Sequence, residues 1–275
     1  MPELPEVETV RRTLNQLVTG KKIEHVQVNL ARIIQRPADI EQFCMILQGE
    51  TIHGVERRGK FLRFVMDHYV MVSHLRMEGR YGVYPVNEPV EKHTHVQFTF
   101  TDGLQLRYRD VRQFGTMHIF GKGEEFLHAP LHKLGLEPLN DTFTVKAMQQ
   151  VIGNKSTRLK AFLLNQAYIV GLGNIYVDEA LFTARLHPER TIDTLTEAEL
   201  VRLHEAIVTT LQTAVDQGGS SIKSYVNGQG EMGMFQQQLR VYGRKNQPCH
   251  HCGQVIEKSV VAGRGTHVCL NCQPL

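Results

Sequence analysis

The apolar positions of this chain change period along its length, and the change divides it into regions of different structure. Over residues 5–18, Val7, Val10, Leu14 and Leu17 recur at helical spacing and Gly20 stops the run, so the chain is expected to begin on a helix. From about residue 22 to 120 the pattern shortens to alternating segments such as Lys60-Phe-Leu-Arg-Phe-Val65 and Val70-Met-Val-Ser-His-Leu75, which predict strands. Residues 95–101 and 104–109 flank Asp102-Gly103, and their pattern selects a register. A two-residue loop would set Phe98 against Arg107, mixing apolar and charged faces. A three-residue loop over 101–103 pairs Phe100 with Leu104, Phe98 with Leu106 and Val96 with Tyr108, and it puts Gly103 where a left-handed residue is needed. Arg107 and Arg109 then lie on the other face. The expected product is a sandwich or barrel of antiparallel strands.

Beyond Pro138 the period becomes helical. Residues 158–165 predict a short helix capped by Ser156 or Thr157. Gly171-Leu-Gly-Asn174 then interrupts before a second helix from Ile175 to about Ala184. Thr196-x-x-Glu199 is a capping box, followed by Leu200, Leu203, Ile207, Leu211 and Val215 down one stripe, and Gly218-Gly219 ends that helix. Five glycines between 218 and 233 predict a mobile loop leading to the C-terminal segment.

A length of 275 residues leaves room for two domains, and 41% hydrophobic with 21% charged residues excludes disorder, collagen-like repeats and coiled coil. The longest unbroken apolar run, Phe43-Cys-Met-Ile-Leu47, is far short of the ~20 residues a membrane helix needs, and Cys44 within it is expected in the core. The start, Met1-Pro-Glu-Leu-Pro, has neither the basic nor the apolar region of a signal peptide, so the cytoplasm is the expected compartment. Net charge is only +3, but residues 201–275 carry seven basic and four acidic side chains while the rest of the chain carries 24 of each. A second basic cluster, Arg57, Arg58, Lys60, Arg63, Arg76 and Arg80, faces only Glu56, Asp67 and Glu78. Two basic zones on a near-neutral body suit a polyanion as well as they suit ordinary solvated faces.

The cysteines decide more. Cys249-x2-Cys252 and, sixteen residues on, Cys269-x2-Cys272 form two knuckles; in a reducing compartment four thiolates at this spacing point to one tetrahedral structural zinc rather than to disulfides or a redox pair. Residues 255–261 and 266–269 alternate like two short strands around Ala262-Gly-Arg-Gly265, which predicts a zinc-clamped hairpin with Arg264 at its tip. His250, His251 and His267 could compete as ligands, but four cysteines already close the site.

Other candidate chemistry is weaker residue by residue. Gly171-Leu-Gly-Asn174 opening a helix offers backbone N–H groups, a positive dipole end and an amide to an anion, although Asn174 could be a plain N-cap. Met77 in His74-Leu-Arg-Met-Glu-Gly79, and Arg112 and Phe114 in Asp110-Val-Arg-Gln-Phe-Gly115, fall where strands end; exposed, they could wedge into a base stack, whereas buried they would be core. Removal of Met1 would expose the secondary amine of Pro2, and an α-amine, with a reference pKa near ~8, is more nucleophilic at neutral pH than lysine. Glu3 beside it could move protons.

Taken in order, Pro2-Glu-Leu-Pro-Glu-Val-Glu8, Arg58-Gly-Lys-Phe61, Ser73-His-Leu-Arg-Met-Glu-Gly79, Asp110-Val-Arg-Gln-Phe-Gly115, Gly171-Leu-Gly-Asn-Ile-Tyr-Val-Asp-Glu179 and the four-cysteine tail with Gly263-Arg-Gly-Thr266 make the chain resemble, over essentially its whole length, the bacterial formamidopyrimidine-DNA glycosylases, also called 8-oxoguanine DNA glycosylases. The resemblance implies an α+β multidomain fold: an N-terminal β-sandwich with a leading helix (1–133), a helix-two-turns-helix DNA-binding domain with a glycine-rich lesion loop (140–234) and a C-terminal zinc-finger β-hairpin (238–275). It implies a bifunctional glycosylase and abasic-site lyase that removes oxidised purines from duplex DNA and cuts the strand by β,δ-elimination through an imine. By match of position, Pro2 would be the nucleophile and Glu3 the acid/base. Lys60, Arg264 and Asn174 would hold phosphates, and His74 and Tyr242 would contact DNA. Met77, Arg112 and Phe114 would fill the duplex gap, and Glu78, Ser220, Ile222 and Tyr225 would read the everted base. One structural zinc on Cys249, Cys252, Cys269 and Cys272, damaged duplex DNA as partner, no membrane, a monomeric state and a bacterial cytoplasm with the nucleoid as place of action complete the expectation. An endonuclease VIII-type start resembles Pro-Glu-Gly-Pro, and here residue 4 is Leu. A non-catalytic DNA-binding module would not need a free Pro2 amine.

Overall fold

The computed structural model describes residues 1–220 and 233–275, which fall into two compact units. The first unit contains Met1–Pro2 and Glu6–Lys133; the second contains Glu3–Pro5, Leu134–Ser220 and Met234–Leu275.

The leading helix α1 (Leu4–Val18) starts one residue before the expected span. Val7, Val10, Leu14 and Val18 form its buried stripe in the first unit. That unit holds two sheets. One has the order β1 (Ile23–Val28), β7 (Thr94–Phe100), β8 (Leu104–Arg109), β6 (Arg80–Pro85). The other has the order β2 (Ile34–Arg36), β9 (Thr116–Gly121), β5 (Tyr69–His74), β4 (Phe61–Val65), β3 (Gly54–Arg58). Val26, Phe98, Leu106 and Tyr81 of the first sheet share one core with Val55, Leu62, Phe64 and Met117 of the second, so the pair is a sandwich. The β7–β8 register is the one the pattern selected, with Phe98 opposite Leu106, Val96 opposite Tyr108 and Gly103 at φ 81°.

Two expectations need correction in this unit, and a third is extended. The strands are not all antiparallel, because β2 pairs parallel with β9. A helix α2 (Ile40–Leu47) interrupts the strand region: Asp39 caps it by accepting from the Gln42 amide, and Phe43 and Leu47, four apart, are buried, while Cys44 is half-buried beside the core. Arg107, on the face opposite the core, is itself buried: its guanidinium donates to Gln105 Oε1 and to the carbonyls of Glu88 and Pro89, so the segment before β7 covers that face.

The second unit packs α3 (Val145–Ile152), α4 (Leu159–Leu164), α5 (Asn174–Ala184) and α6 (Glu197–Asp216) around one apolar cluster that includes Leu4. The capping box of α6 is present, and Leu200, Leu203, Ile207, Leu211 and Val215 are all buried. The N-cap of α4 is Arg158 without a side-chain cap, not Ser156 or Thr157; Leu159 and Lys160 instead donate their backbone N–H groups to the carbonyls of Arg190 and Pro188. A smaller cluster of Phe182, Val241, Ile256 and three of the zinc-pattern cysteines supports the hairpin β10 (Glu257–Val261) and β11 (Arg264–Val268). Its turn is shorter than expected. Ala262 and Gly263, both left-handed at φ 53° and 69°, make a two-residue loop, and Arg264 opens β11 opposite Val261 instead of sitting at the tip.

Candidate active site

The second unit organises its site around the first turn of α5. Gly173, not Asn174, is the N-cap, so the turn has no side-chain cap of its own. The Glu3 carboxylate supplies one from a distance in sequence: it accepts from the backbone N–H groups of Gly173 at 2.6 Å, Ile175 at 2.9 Å and Tyr176 at 3.3 Å. The anion site anticipated at this helix start is thus filled by the protein's own carboxylate, which the dipole end of α5 stabilises. Glu3 is buried at 3% exposure, and a Cβ on Gly173 would lie 2.4 Å from Glu3 Cδ. Glycine is required there so that the carboxylate can reach the helix. The Leu4 amide donates to the Gly171 carbonyl, tying the following residue to the same loop.

Released from capping, Asn174 donates through Nδ2 to the Gly265 carbonyl at 2.8 Å. The same carbonyl accepts from Lys160 Nζ at 3.1 Å. Lys160 is wholly buried and pairs at 2.6 Å with Asp178, whose other oxygen accepts from the His267 amide. Burial pulls the Lys160 amine below its ordinary range, while the Asp178 partner opposes the shift. These contacts fix β11 against α5 and set the position of Arg264, which is exposed one residue before Gly265. Tyr242 lies beside Asn174, with its ring 5.1 Å from that of His267, and burial raises its phenol. Its backbone amide and those of Arg240 and Val241 all donate to the buried Glu179 carboxylate. Neither Lys160, Asp178 nor Glu179 was singled out for a role from sequence; a buried lysine in a short helix pattern looks like any amphipathic surface lysine, and Asp178-Glu179 like a solvated pair.

The four cysteine Sγ atoms lie within 4.8 Å of one another, with Cys249 to Cys272 at 3.9 Å and Cys252 to Cys269 at 3.5 Å. Tetrahedral Zn–S bonds of about 2.3 Å bring sulfurs to roughly such separations, so the donor set fits one structural zinc with no position left for water.

The first unit carries the remaining residues. Lys60 follows Gly59 (φ 56°) in the two-residue turn between β3 and β4 and is buried at 5% exposure. His74 ends β5 with its ring against Phe61, and its Nδ1 accepts from the Arg76 amide at 2.9 Å. Burial, with Arg76 and Lys60 nearby, lowers its pKa to about 3, so it is a neutral imidazole whose Nε2 carries the proton. Pro2 is buried.

Met77 and Phe114, which would be buried if they were core, are exposed at 39% and 50%, with Glu78 exposed in the same turn as Met77. Both turns contain a non-glycine left-handed residue, Arg76 at φ 55° and Gln113 at φ 60°. Asp110 braces the second turn by accepting from the amides of Arg112, Phe114 and Gly115. The buried Tyr108 hydroxyl donates to the same carboxylate and fills the space where Cβ atoms on Gly79 and Gly115 would be. The Arg112 guanidinium stacks 5.0 Å over the Phe114 ring. Ser220 is buried at the end of the second unit's described segment, and Ile222 and Tyr225 lie outside the described residues.

A two-sheet sandwich, a helical unit with a carboxylate-capped helix start and a four-cysteine hairpin together define a modular protein of mixed sheet and helix with a metal-binding pattern of cysteines. Comparison with known proteins gives the family. Residues 1–117 match the N-terminal domain of formamidopyrimidine-DNA glycosylase, residues 134–226 its H2TH domain, and residues 246–275 the zinc finger found in FPG and IleRS. The chain is 62% identical over 273 residues to the formamidopyrimidine-DNA glycosylase of Brevibacillus brevis, covering 99% of each. It is 61% identical to that of Halalkalibacterium halodurans, covering 99% of this chain and 100% of the relative. Among solved structures, wild-type Lactococcus lactis Fpg with DNA containing N7-benzyl-Fapy-dG superposes with a TM-score of 0.92 at 41% identity over 100% of both chains. The Lactococcus lactis Fpg complex with abasic-site DNA gives 0.92 at 41% identity over 99% of this chain and 100% of that one. The chain belongs to the formamidopyrimidine-DNA glycosylase family.

Proposed function

We propose that this protein removes oxidised purines, 8-oxoguanine and formamidopyrimidines, from duplex DNA and then cleaves the abasic strand, with Pro2 as nucleophile. The observation that carries the reading is the Glu3 carboxylate, buried and held by three backbone N–H groups directly after Pro2 in the chain. A carboxylate so placed is fixed in direction and can exchange a proton with groups near the N-terminal amine. The solved relatives with Fapy-dG-type and abasic DNA support the same substrate class.

With Met1 removed, the Pro2 nitrogen attacks the sugar C1′. The new N–C1′ bond replaces the glycosidic bond, whose electron pair leaves on the base together with a proton that Glu3 relays. O4′ then takes up a proton and the C1′–O4′ bond breaks, opening the sugar and leaving the Pro2 nitrogen and C1′ as an iminium; a secondary amine can form only this charged species, and it withdraws electrons from C2′. Loss of a C2′ proton then expels the 3′ phosphate, and a second elimination expels the 5′ phosphate. C1′ is reachable only when the nucleotide is turned out of the stack, at a cost of a few kcal/mol. Met77 and the Arg112–Phe114 stack, exposed on braced turns, are suited to fill the gap, and Lys60, His74, Asn174, Tyr242 and Arg264 to hold phosphates. Glu78 and Ser220 are the described candidates for reading the base. Zinc on the four thiolates supplies rigidity to the hairpin that carries Arg264. Residues 1–133, 140–234 and 238–275 are the working parts of this scheme, and the monomer acts in the cytoplasm on the nucleoid.

Borohydride reduction during reaction with an 8-oxoguanine duplex tests the assignment. A protein–DNA adduct that maps to residue 2, and that disappears when the chain is extended before Pro2, is the expected result. An adduct on a lysine side chain would overturn the nucleophile.

A further inference from the structure

The start of α5 spends its anion-binding capacity on Glu3, but the other end of the same helix, roughly 16 Å away along an 11-residue axis, carries a separate basic cleft. The cleft has a volume of about 430 Å³, within the range of ligand sites, and opens between the last turn of α5 and the first cysteine knuckle. Arg185, Arg240, His250 and His251 line it, and among the described residues no carboxylate does. Cys272, one of the four zinc-pattern cysteines, is the remaining ionisable group of the lining.

Arg185 occupies an unusual backbone position for its type. It ends α5 in the left-handed conformation, φ 56° and ψ 42°, where its amide donates to the carbonyls of Leu181 and Phe182. Glycine is the ordinary residue at such a cap because a side chain is strained there. Here the strained position instead projects a guanidinium across the cleft, where Nη2 donates to His251 Nε2 at 3.3 Å. From the other wall the Arg240 guanidinium donates to Thr183 Oγ1 at 3.4 Å, while its backbone amide is anchored on buried Glu179. Both arginines are exposed, and each has donors beyond the single weak contact it makes.

We propose that this cleft is a second anion site that takes phosphate oxygens, with Arg185 and Arg240 as its charged donors and His250 and His251 completing the polar wall. The forked guanidinium suits phosphate better than a point charge does. Two sources share this chemistry: a backbone phosphate of DNA beyond the segment held at the start of α5, and a free polyphosphate. A rival explanation of Arg185 is that it only complements the negative end of the helix dipole. Arg185→Gly separates the two, since glycine restores the usual cap while removing the guanidinium.

The test uses full-length zinc-loaded protein and inorganic tripolyphosphate, titrated calorimetrically at constant ionic strength into the parent, Arg185→Gly and Arg185→Gly/Arg240→Gln. The site predicts one tripolyphosphate per chain that weakens at least tenfold in the double variant, with cleavage of a short lesion duplex within twofold of the parent. For a DNA source, the double variant also lowers the slope of log affinity against log salt on a 40-base-pair duplex, by about 0.9 for each lost contact, and leaves it unchanged on a short one. For a free polyphosphate, both slopes stay equal and tripolyphosphate binds the preformed complex with short duplex. Tripolyphosphate that fails to bind the parent, or binds the double variant as tightly as the parent, together with unchanged salt slopes, overturns the proposal and leaves Arg185 as a helix cap.

Discussion

Gly173 and Glu3 are the smallest scale at which this protein's chemistry can be tested. A methyl group on residue 173 would stand 2.4 Å from Glu3 Cδ and 2.5 Å from its Oε1, and the backbone N–H groups that hold the carboxylate leave it little room to retreat. Gly173→Ala is therefore expected to cost about 1–3 kcal/mol of stability through overpacking and to slow base excision on the order of 100-fold by displacing the carboxylate. Chemical denaturation and single-turnover excision measure the two effects, and an unimpaired variant would show that Glu3 needs no fixed position. His74 makes a second residue-level case. Its folded pKa of about 3 lies below the unfolded value near ~6.5, so the unfolded chain takes up the proton first. The stability this histidine contributes is complete above that unfolded value and is lost as pH falls toward about 3, at up to about 1.4 kcal/mol per pH unit. His118, lowered to about 4 by burial and by Arg36 and Arg76, acts with the same sign. The check is accordingly a difference: His74→Gln should flatten the pH dependence of unfolding between pH 4 and 6 relative to the parent, and identical slopes would contradict it.

Among the elements, β11 has the most to lose. Its Gly265 carbonyl is held by Lys160 from α4 and Asn174 from α5, and its His267 amide by Asp178. Lys160→Met keeps the volume but leaves buried Asp178 without its lysine partner, held only by the His267 amide and ring, which costs about 3–5 kcal/mol. It also removes one of the two donors that place Arg264. The expected result is a lower melting temperature and a salt slope for lesion-duplex binding reduced by about 0.9, as for Arg264→Ala itself. A destabilised variant with the parent's slope would mean that the buried pair serves the fold without positioning the hairpin. The turns after β5 and β8 show a related economy. Tyr108 and Asp110 brace segments whose outward residues, Met77 and Phe114, gain nothing from the core, so the strain at Arg76 and Gln113 is supported from behind.

At the scale of the whole molecule, the proposed function makes the zinc finger the place where folding and DNA binding are expected to be coupled. The apolar cluster under the hairpin counts Cys249, Cys269 and Cys272 among its members, so metal and core are one structure. Without zinc, four thiols crowded within 4.8 Å have no common partner. Chelation is expected to release one zinc per chain, loosen the hairpin that carries Arg264 and abolish binding to damaged duplex. Apo-protein that binds such DNA with unchanged affinity would refute the structural role.

Much of this was legible in the chain itself. Periodicity specified α1, α6 and the β7–β8 register, because each has one apolar face whose residues must all point the same way. Cysteine spacing specified the zinc knuckles, because a metal's geometry is local and repeats in sequence. Six ordered motifs carried the family. What the chain alone did not determine is everything settled by contacts far apart in sequence. The parallel β2–β9 pair, the buried Arg107 and the Lys160–Asp178 pair depend on which segment covers which face. The same holds for the helix cap on α5. Locally Asn174 was the natural candidate, but a carboxylate some 170 positions earlier took the helix N–H groups and freed the asparagine amide for Gly265. A charged oxygen at the dipole end outcompetes a neutral one, and only the folded chain brings it there.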